Sequence, residues 1–143
     1  MARERIAAIV IGLLMIGSIV GFAVMSARPI TRGQSISPVI ERLLTPQEKI
    51  QVLRTGRVLI EYIYPSDCND CEKKAAMYYG FVQRYANFTV LEIVQTNATI
   101  TDQLIGIGGQ IRELKNITTE DELFAVFCES AIIKPRECLF LTL

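Results

Sequence analysis

Two cysteines three residues apart, Cys68 and Cys71, are the side chains of this 143-residue chain best suited to chemistry. They follow an apolar run, Arg57 to Tyr64, and precede apolar residues at helical spacing up to Ala86. A thiol at the first turn of a helix faces unpaired backbone N–H groups and the positive end of the helix dipole, which favour its thiolate. Cys68 is predicted at that position, and Cys71 lies one turn further on. The motif therefore predicts a reversible dithiol.

Two other uses of the four cysteines stay open, a static disulfide and a metal site. A zinc site would also need Cys128 and Cys138, but the intervals lack the spacing of zinc ribbons or knuckles, so no metal site and no cofactor is predicted. We expect Cys128 and Cys138 to form a structural disulfide that ties the tail to the last helix, because neither begins a helix. A second redox pair is the alternative. Histidine is absent, which excludes catalytic triads and imidazole bases.

Acidic residues surround the first cysteine of the Cys-x-x-Cys pair. Asp67, Asp70 and Glu72 bring negative charge near Cys68, and the two lysines that follow offset only part of it. Negative charge disfavours a thiolate and opposes the helix dipole. Because a less stabilised thiolate makes a dithiol less oxidising, we expect a potential towards the reducing end of the range for such pairs.

An uncharged run from Ile6 to Met25 is about long enough to cross a bilayer as a helix. A secretory signal is the alternative, because two arginines precede the run, but its length exceeds the about 7–15 residues of a signal's apolar core. The sequence therefore predicts a tail at residues 1–5, a transmembrane helix at residues 6–26 and the lipid bilayer as a partner. The net charge of zero gives no indication of nucleic-acid binding.

Three of the four asparagines, Asn87, Asn97 and Asn116, lie in Asn-x-Ser/Thr sequons, which are acceptor sites for N-linked glycans. Together with the cysteine pair expected to be structural, they favour an oxidising compartment. Basic residues near the two ends of the apolar run are close to balanced and give only a slight preference for a cytoplasmic body. The sequence therefore predicts a single-pass protein of the cell membrane, with a cytoplasmic N-terminus and an extracytoplasmic domain.

Residues 27–56 are predicted to form a linker followed by stalk helices. Ser37-Pro38 suits a helix start, and Thr45-Pro46-Gln47-Glu48 is a capping box with proline at the first helical position. The second of these helices is expected to bury Ile50 and Leu53.

The remaining residues, 57–143, are predicted to fold as one α/β domain. Its expected elements are a strand over 57–64, a helix over 71–86, a strand over 88–95, a loop over 96–103, a two-residue hairpin at Gly108-Gly109 and a helix starting at Thr119. A strand, a helix and a second strand in this order imply a parallel, right-handed crossover unit.

This order of elements resembles the thioredoxin-like superfamily over roughly Arg57 to Ala131, most specifically at Cys68-Asn69-Asp70-Cys71 and at the Gly-Gly hairpin. The resemblance implies a mixed sheet flanked by helices, preceded here by the transmembrane helix. It also implies that Cys68 attacks the disulfide of a cysteine-containing protein substrate and that Cys71 resolves the mixed disulfide. Glu61, an acid on the strand before the pair, would move the proton. The alternative for Glu61 is a carboxylate paired with a nearby base.

The chain departs from this superfamily in two ways. Where its members usually carry a cis-proline opposite the cysteines, the matching position is Gln103, and the segment before it is too short for the usual helix. Two functions are therefore expected. One is a membrane-anchored thiol-disulfide oxidoreductase. The other is an accessory subunit of a larger membrane protein complex, similar to the thioredoxin-like subunits of oligosaccharyltransferases, that binds or positions substrate.

Overall fold

A computed structural model of the chain describes residues 36–97 and 99–141, and residues from Ile36 onward belong to one compact unit. The predicted transmembrane helix, residues 6–26, lies outside the described residues. Within the described ranges, none of the helices has both the length and the apolar character needed to cross a bilayer.

Over residues 36–97 and 99–141 the chain forms five strands and three α-helices. The strands are β1 Val39–Ile40, β2 Val58–Tyr64, β3 Thr89–Gln95, β4 Thr101–Ile105 and β5 Ile111–Glu113. The helices are α1 Pro46–Arg54, α2 Asn69–Arg84 and α3 Glu120–Ser130, and a short 3₁₀-helix, Arg136–Phe140, follows α3. The predicted mixed α/β sheet flanked by helices is therefore present.

The strands form one sheet in the order β1-β3-β2-β4-β5. Strands β1, β3 and β2 are parallel, whereas β4 runs antiparallel to β2 and β5 antiparallel to β4. Strand β2 lies at the centre, and α2 carries the chain from β2 to the parallel β3 as the crossover unit predicted from the sequence. The carboxyl end of β2 leads directly into the loop that carries Cys68.

Strand β2 is buried on both faces, which explains its nearly continuous apolar sequence. Successive side chains of a strand point to opposite faces. Val58, Ile60 and Tyr62 accordingly pack in the main core with α2 and α3, whereas Leu59 packs in a second core beneath α1. Glu61, between Ile60 and Tyr62, shares the α1 face with Leu59.

The segment predicted as a stalk contributes a strand and a helix to this unit. The helix expected at Ser37-Pro38 is wrong: the chain there is extended into β1, whose Val39 and Ile40 pair with β3. The capping box at Thr45 and Glu48 is confirmed at the start of α1. The buried residue of α1 is Val52, whereas Ile50, expected in the core, is half exposed.

The hairpin predicted at the Gly-Gly pair is present, but its strands are shifted. Strand β4 starts at Thr101, inside the segment expected to be a loop. The turn spans residues 106–110, five residues instead of two, and is closed by a hydrogen bond from Gly106 N–H to the Gln110 carbonyl (2.8 Å). Gly109 adopts a φ of 74°, a conformation that glycine takes without strain.

Helix α3 begins where the sequence predicts, with a capping box formed by Thr119 and Glu122. Its buried residues include Leu123, Phe127 and Cys128. Phe81 of α2 stacks edge-on against Phe127, so the two helices cover the same face of the sheet.

Candidate redox site

Cys68 is the N-cap residue of α2, and it is disulfide-bonded to Cys71 with the two Cα atoms 5.3 Å apart. Cys68 has extended backbone dihedrals, and its side chain makes no capping hydrogen bond with any described residue. Its sulfur therefore lies at the helix N-terminus, where the first amides of α2 have no partner within the helix. Cys68 is half-buried, whereas Cys71 is buried in the main core. Cys68 is thus the sulfur more open to an incoming substrate.

The floor of the site is formed by two tyrosines. The Tyr62 hydroxyl donates to the backbone carbonyl of Cys71 (3.3 Å), and the Tyr62 ring meets the Tyr78 ring edge-on at 5.1 Å between centroids. Burial, together with the charge of Asp102, raises the pKa of Tyr62 to about 12. Burial also raises the pKa of Tyr78 well above its ordinary value, reinforced by its hydrogen bond to Asp102. Both phenols are therefore neutral at physiological pH.

Asp102 and Lys74 form a buried ion pair beside this floor. The Lys74 Nζ lies 2.5 Å from Asp102 Oδ2, and the Tyr78 hydroxyl donates to Asp102 Oδ1 at 2.6 Å. Lys74 also donates to the carbonyls of Leu114 (2.7 Å) and Lys115 (3.2 Å), so all three ammonium protons have an acceptor. The pair is thus fully hydrogen-bonded, which buried charges require.

A groove of about 290 Å³ opens beside Cys71, the buried half of the disulfide. Cys71 and Tyr62 form one part of its lining, and the rest is formed by Asp70, Lys74, Ile100, Asp102 and Lys115. Ile100 immediately precedes β4. The resemblance predicts a proline at this position, just before the strand that leads into the hairpin. The matching position is therefore Ile100, and not Gln103, which lies in the middle of β4.

Glu61 is buried, but the structure does not bring it to the disulfide. Its side chain contacts Lys49 of α1 and accepts a hydrogen bond from Gln103 (2.5 Å), on the opposite face of the sheet from Cys71. The acid on the cysteine face is Asp102, which pairs across the strands with Tyr62. Sequence reasoning missed Asp102, Lys74 and the two tyrosines as members of the site.

Glu92 completes the polar cluster around Glu61. Glu92 Oε1 accepts from the Leu44 N–H (2.7 Å), and Oε2 lies 3.2 Å from Lys49 Nζ without hydrogen-bond geometry. Burial raises the pKa of Glu92, although the Leu44 amide and Lys49 partly oppose the shift. Burial alone would lower the pKa of Lys49, but the hydrogen bond and charge of Glu61 outweigh it and raise that pKa. Two carboxylates therefore share one ammonium group, which locks α1 onto the sheet.

The second pair, Cys128 and Cys138, is also disulfide-bonded, with the Cα atoms 5.5 Å apart. Both residues are buried in the main core. Cys128 lies near the end of α3 and Cys138 within the 3₁₀-helix, so neither occupies a helix N-terminus. The bond joins the tail of the chain to α3, as the sequence predicts.

The three sequon asparagines, Asn87, Asn97 and Asn116, are all exposed and lie outside the helices and strands. The sequon at Asn87 differs from the others because its Thr89 is fully buried at the start of β3, where the hydroxyl bonds to the Tyr85 carbonyl. The Asn116 sequon, whose Thr118 is exposed, offers the more open acceptor.

No protein-family model matches this chain, and no curated protein matches it in sequence. The order of the sheet, the parallel crossover through α2 and the disulfide at the start of α2 are compatible with a thioredoxin-like fold.

Proposed function

We propose that this protein is a membrane-anchored thiol-disulfide oxidoreductase that acts outside the cytoplasm through Cys68 and Cys71. The observation that carries the proposal is the asymmetry of the pair. Cys68 is the half-exposed N-cap of α2, and Cys71 is buried one turn behind it. A nucleophilic thiol needs access and a stabilised thiolate, whereas a resolving thiol needs only to reach the first.

The reaction consists of two thiol exchanges. The Cys68 thiolate attacks a substrate disulfide, forms a mixed disulfide and releases one substrate thiolate. The Cys71 thiolate then attacks the Cys68 sulfur, which closes the protein disulfide and releases the second substrate thiolate. The substrate gains two electrons and the protein loses two. The same steps in reverse oxidise a substrate dithiol and leave the protein reduced.

Asp102 is the group that we propose moves the proton of Cys71, in the role that the sequence assigned to Glu61. Both Asp102 and Cys71 line the groove, and Asp102 is buried on the same face of the sheet. Its carboxylate is held by Lys74 and Tyr78 and therefore keeps one orientation. A fixed carboxylate beside a buried thiol suits general base catalysis.

Attachment to a membrane and action outside the cytoplasm belong to the same proposal. The uncharged run at residues 6–25 supports the first, and the exposed sequon asparagines together with two disulfides support the second. Cysteine-containing proteins of that compartment are the proposed substrates.

A Cys71→Ser variant tests the redox function, because it can form mixed disulfides through Cys68 but cannot resolve them. Expressed in cells, it should accumulate disulfide-linked adducts that disappear on reduction. A Cys68→Ser variant is the matched control and should give none. Equal adduct patterns from the two variants would refute the assignment of Cys68 as the attacking thiol.

The second candidate is an accessory subunit of a membrane protein complex that binds or positions substrate. Ile100 favours the accessory subunit. This residue lines the groove at the position where a disulfide exchanger with many substrates would be expected to carry a proline. A subunit should copurify stoichiometrically with one membrane complex whatever the redox state of Cys68 and Cys71. The oxidoreductase should instead be recovered alone unless Cys71 is replaced.

A further inference from the structure

Five exposed apolar side chains lie at the C-terminal end of the described chain, Leu139 and the four named next. Ile132, Ile133, Phe140 and Leu141, here called the C-terminal patch, are 70%, 55%, 74% and 52% exposed. Large apolar side chains grouped on a surface mark sites of association with proteins or lipids. The patch is separate from the groove beside Cys71.

The patch is fixed in place from both sides. The disulfide between Cys128 and Cys138 holds its two halves together, because one cysteine precedes Ile132 and the other precedes Phe140. Ile133 also packs against Gly56, where even a methyl group would come within 2.7 Å of its Cδ1 atom. The backbone that carries the apolar side chains is therefore constrained by the disulfide and by the contact with Gly56.

The patch lies at the end of the sheet where the chain enters the described unit. Gly56 comes two residues before β2, and Arg57 donates to the carbonyl of Ile36, the first described residue (3.1 Å). The end of α3 lies there too, because a Cβ added at Gly106 would lie 3.0 Å from the carbonyl oxygen of Ser130. Gly106 follows Ile105, which pairs with Leu59 near the start of β2. The patch and the incoming chain thus share one end of the domain.

Cys68 and Cys71 lie at the opposite end, beyond the carboxyl end of β2. The seven residues of β2 span about 20 Å at a rise of about 3.3 Å per residue. A surface that covers the C-terminal patch would therefore face away from the disulfide and leave the groove open.

The charges beside the patch are mainly positive. Lys134 and Arg136 are both exposed and lie between its two halves, whereas Glu137 is the one acid among residues 131–141. Apolar side chains interleaved with cations are typical of segments that lie on anionic lipid headgroups. A stable protein interface needs about 20–30 residues from each partner, many more than this patch provides. Fewer residues are enough to bind a bilayer surface, because an anchor in the same chain would keep the bilayer at a high effective concentration near the patch.

We propose that the C-terminal patch docks on the surface of the bilayer and holds the domain upright, with Cys68 and Cys71 pointing away from the membrane. This inference rests on the proposed membrane attachment and adds the orientation of the redox site. It implies that the substrates are soluble proteins or domains that project from the membrane by roughly the length of β2.

The chain contains no tryptophan, so one introduced tryptophan reports on one position. We would reconstitute full-length Phe140→Trp and Leu141→Trp variants into vesicles of anionic lipid, with and without brominated acyl chains, which quench only tryptophan that reaches them. Gln95→Trp is the matched control, because Gln95 is exposed and pairs with Tyr64 at the carboxyl end of β2, the end away from the patch. Both patch variants should lose roughly half of their emission in brominated lipid and the control should lose almost none.

Each other outcome overturns the proposal at a defined step. Docking would be refuted if none of the three variants lost emission in brominated lipid. Flotation of the protein with the vesicles would show, in the same experiment, that the anchor is intact. Failure to float would refute the membrane attachment as well. A second copy of the chain would be identified as the occupant by a different result. The emission of Phe140→Trp would shift to the blue as the protein concentration rises, and brominated lipid would not quench it. Thiol exchange measured on the same samples separates these results from the redox function.

Discussion

Removing Lys74 should destabilise the protein far more than removing its neighbour Lys73. The Lys74→Met variant leaves the buried carboxylate of Asp102 without its counter-ion and removes one hydrogen bond from each of two backbone carbonyls. The Leu114 carbonyl keeps its hydrogen bond from the Ile117 N–H. Lys73, in contrast, is 83% exposed, and its ion pair is with the exposed carboxylate of Asp70 at 3.4 Å. The two adjacent lysines therefore make a matched pair of variants.

The expected cost follows from the burial of the pair. Breaking a buried ion pair by removing one partner costs about 3–5 kcal/mol, and we expect the lower end because the Tyr78 hydroxyl still donates to Asp102. Domains of this size are stable by only about 5–15 kcal/mol, so this is a large fraction of the total. Lys73→Met should change the free energy of unfolding by less than about 0.5 kcal/mol.

Urea unfolding followed by circular dichroism measures both variants. A cost of about 3 kcal/mol shifts the midpoint by about 1.5 M at an m-value of about 2 kcal/mol/M. Adding Asp102→Asn to Lys74→Met should recover part of the loss, about 2 kcal/mol, because no unpaired buried charge remains. Equal midpoints for Lys74→Met and Lys73→Met, or strictly additive costs in the double variant, would refute the role given to the pair.

Three further predictions concern the acids and the second disulfide. Because burial raises its pKa, Glu92 holds its proton to higher pH in the folded protein than in the unfolded chain, so stability falls as pH rises above about 4.5. Glu92→Gln should remove that slope from unfolding free energies measured between about pH 4 and pH 7, and an unchanged slope would contradict it. Asp102→Asn should lengthen the lifetime of the mixed disulfide about 100-fold, by quenched-flow mass spectrometry, without slowing its formation. If Asp102→Asn slowed both the formation and the resolution of the mixed disulfide, a role of Asp102 limited to the Cys71 proton would be excluded. Cys138→Ser should cost about 2–3 kcal/mol in thermal or urea unfolding, because its bond to Cys128 closes a loop with a sequence separation of 10. A loss of thiol exchange in this variant would instead indicate a second redox pair.

Local signals predicted the parts of the fold that local interactions determine. The capping boxes at Thr45 and Thr119 mark the starts of α1 and α3, because the side chains that satisfy the first amides lie within three residues. Strand β1 was not predictable in the same way. Val39 and Ile40 are a strand only because β3, about fifty residues later, supplies their partners.

The cysteines of the candidate site could be predicted from the sequence, but the acid beside them could not. Glu61 and Tyr62 are adjacent, and a shift of one residue along a strand moves a side chain to the other face of the sheet. Which of them faces Cys71 depends on the path of the loop between β2 and α2. Asp102 reaches the site through its pairing with Tyr62, forty residues away, and the sequence around Asp102 carries no periodic signal of that contact.

The central claim is that Cys68 and Cys71 form a reversible dithiol, and titration in glutathione buffers tests it most directly. The full-length protein would be equilibrated at graded ratios of reduced to oxidised glutathione, and each disulfide would be quantified by mass mapping. We predict that the Cys68–Cys71 bond opens and recloses in one two-electron step, while Cys128–Cys138 stays closed. The potential of that step should be well below that of strongly oxidising pairs, which is about −120 mV. A Cys68–Cys71 bond that stays closed in buffers that open Cys128–Cys138 would contradict the account.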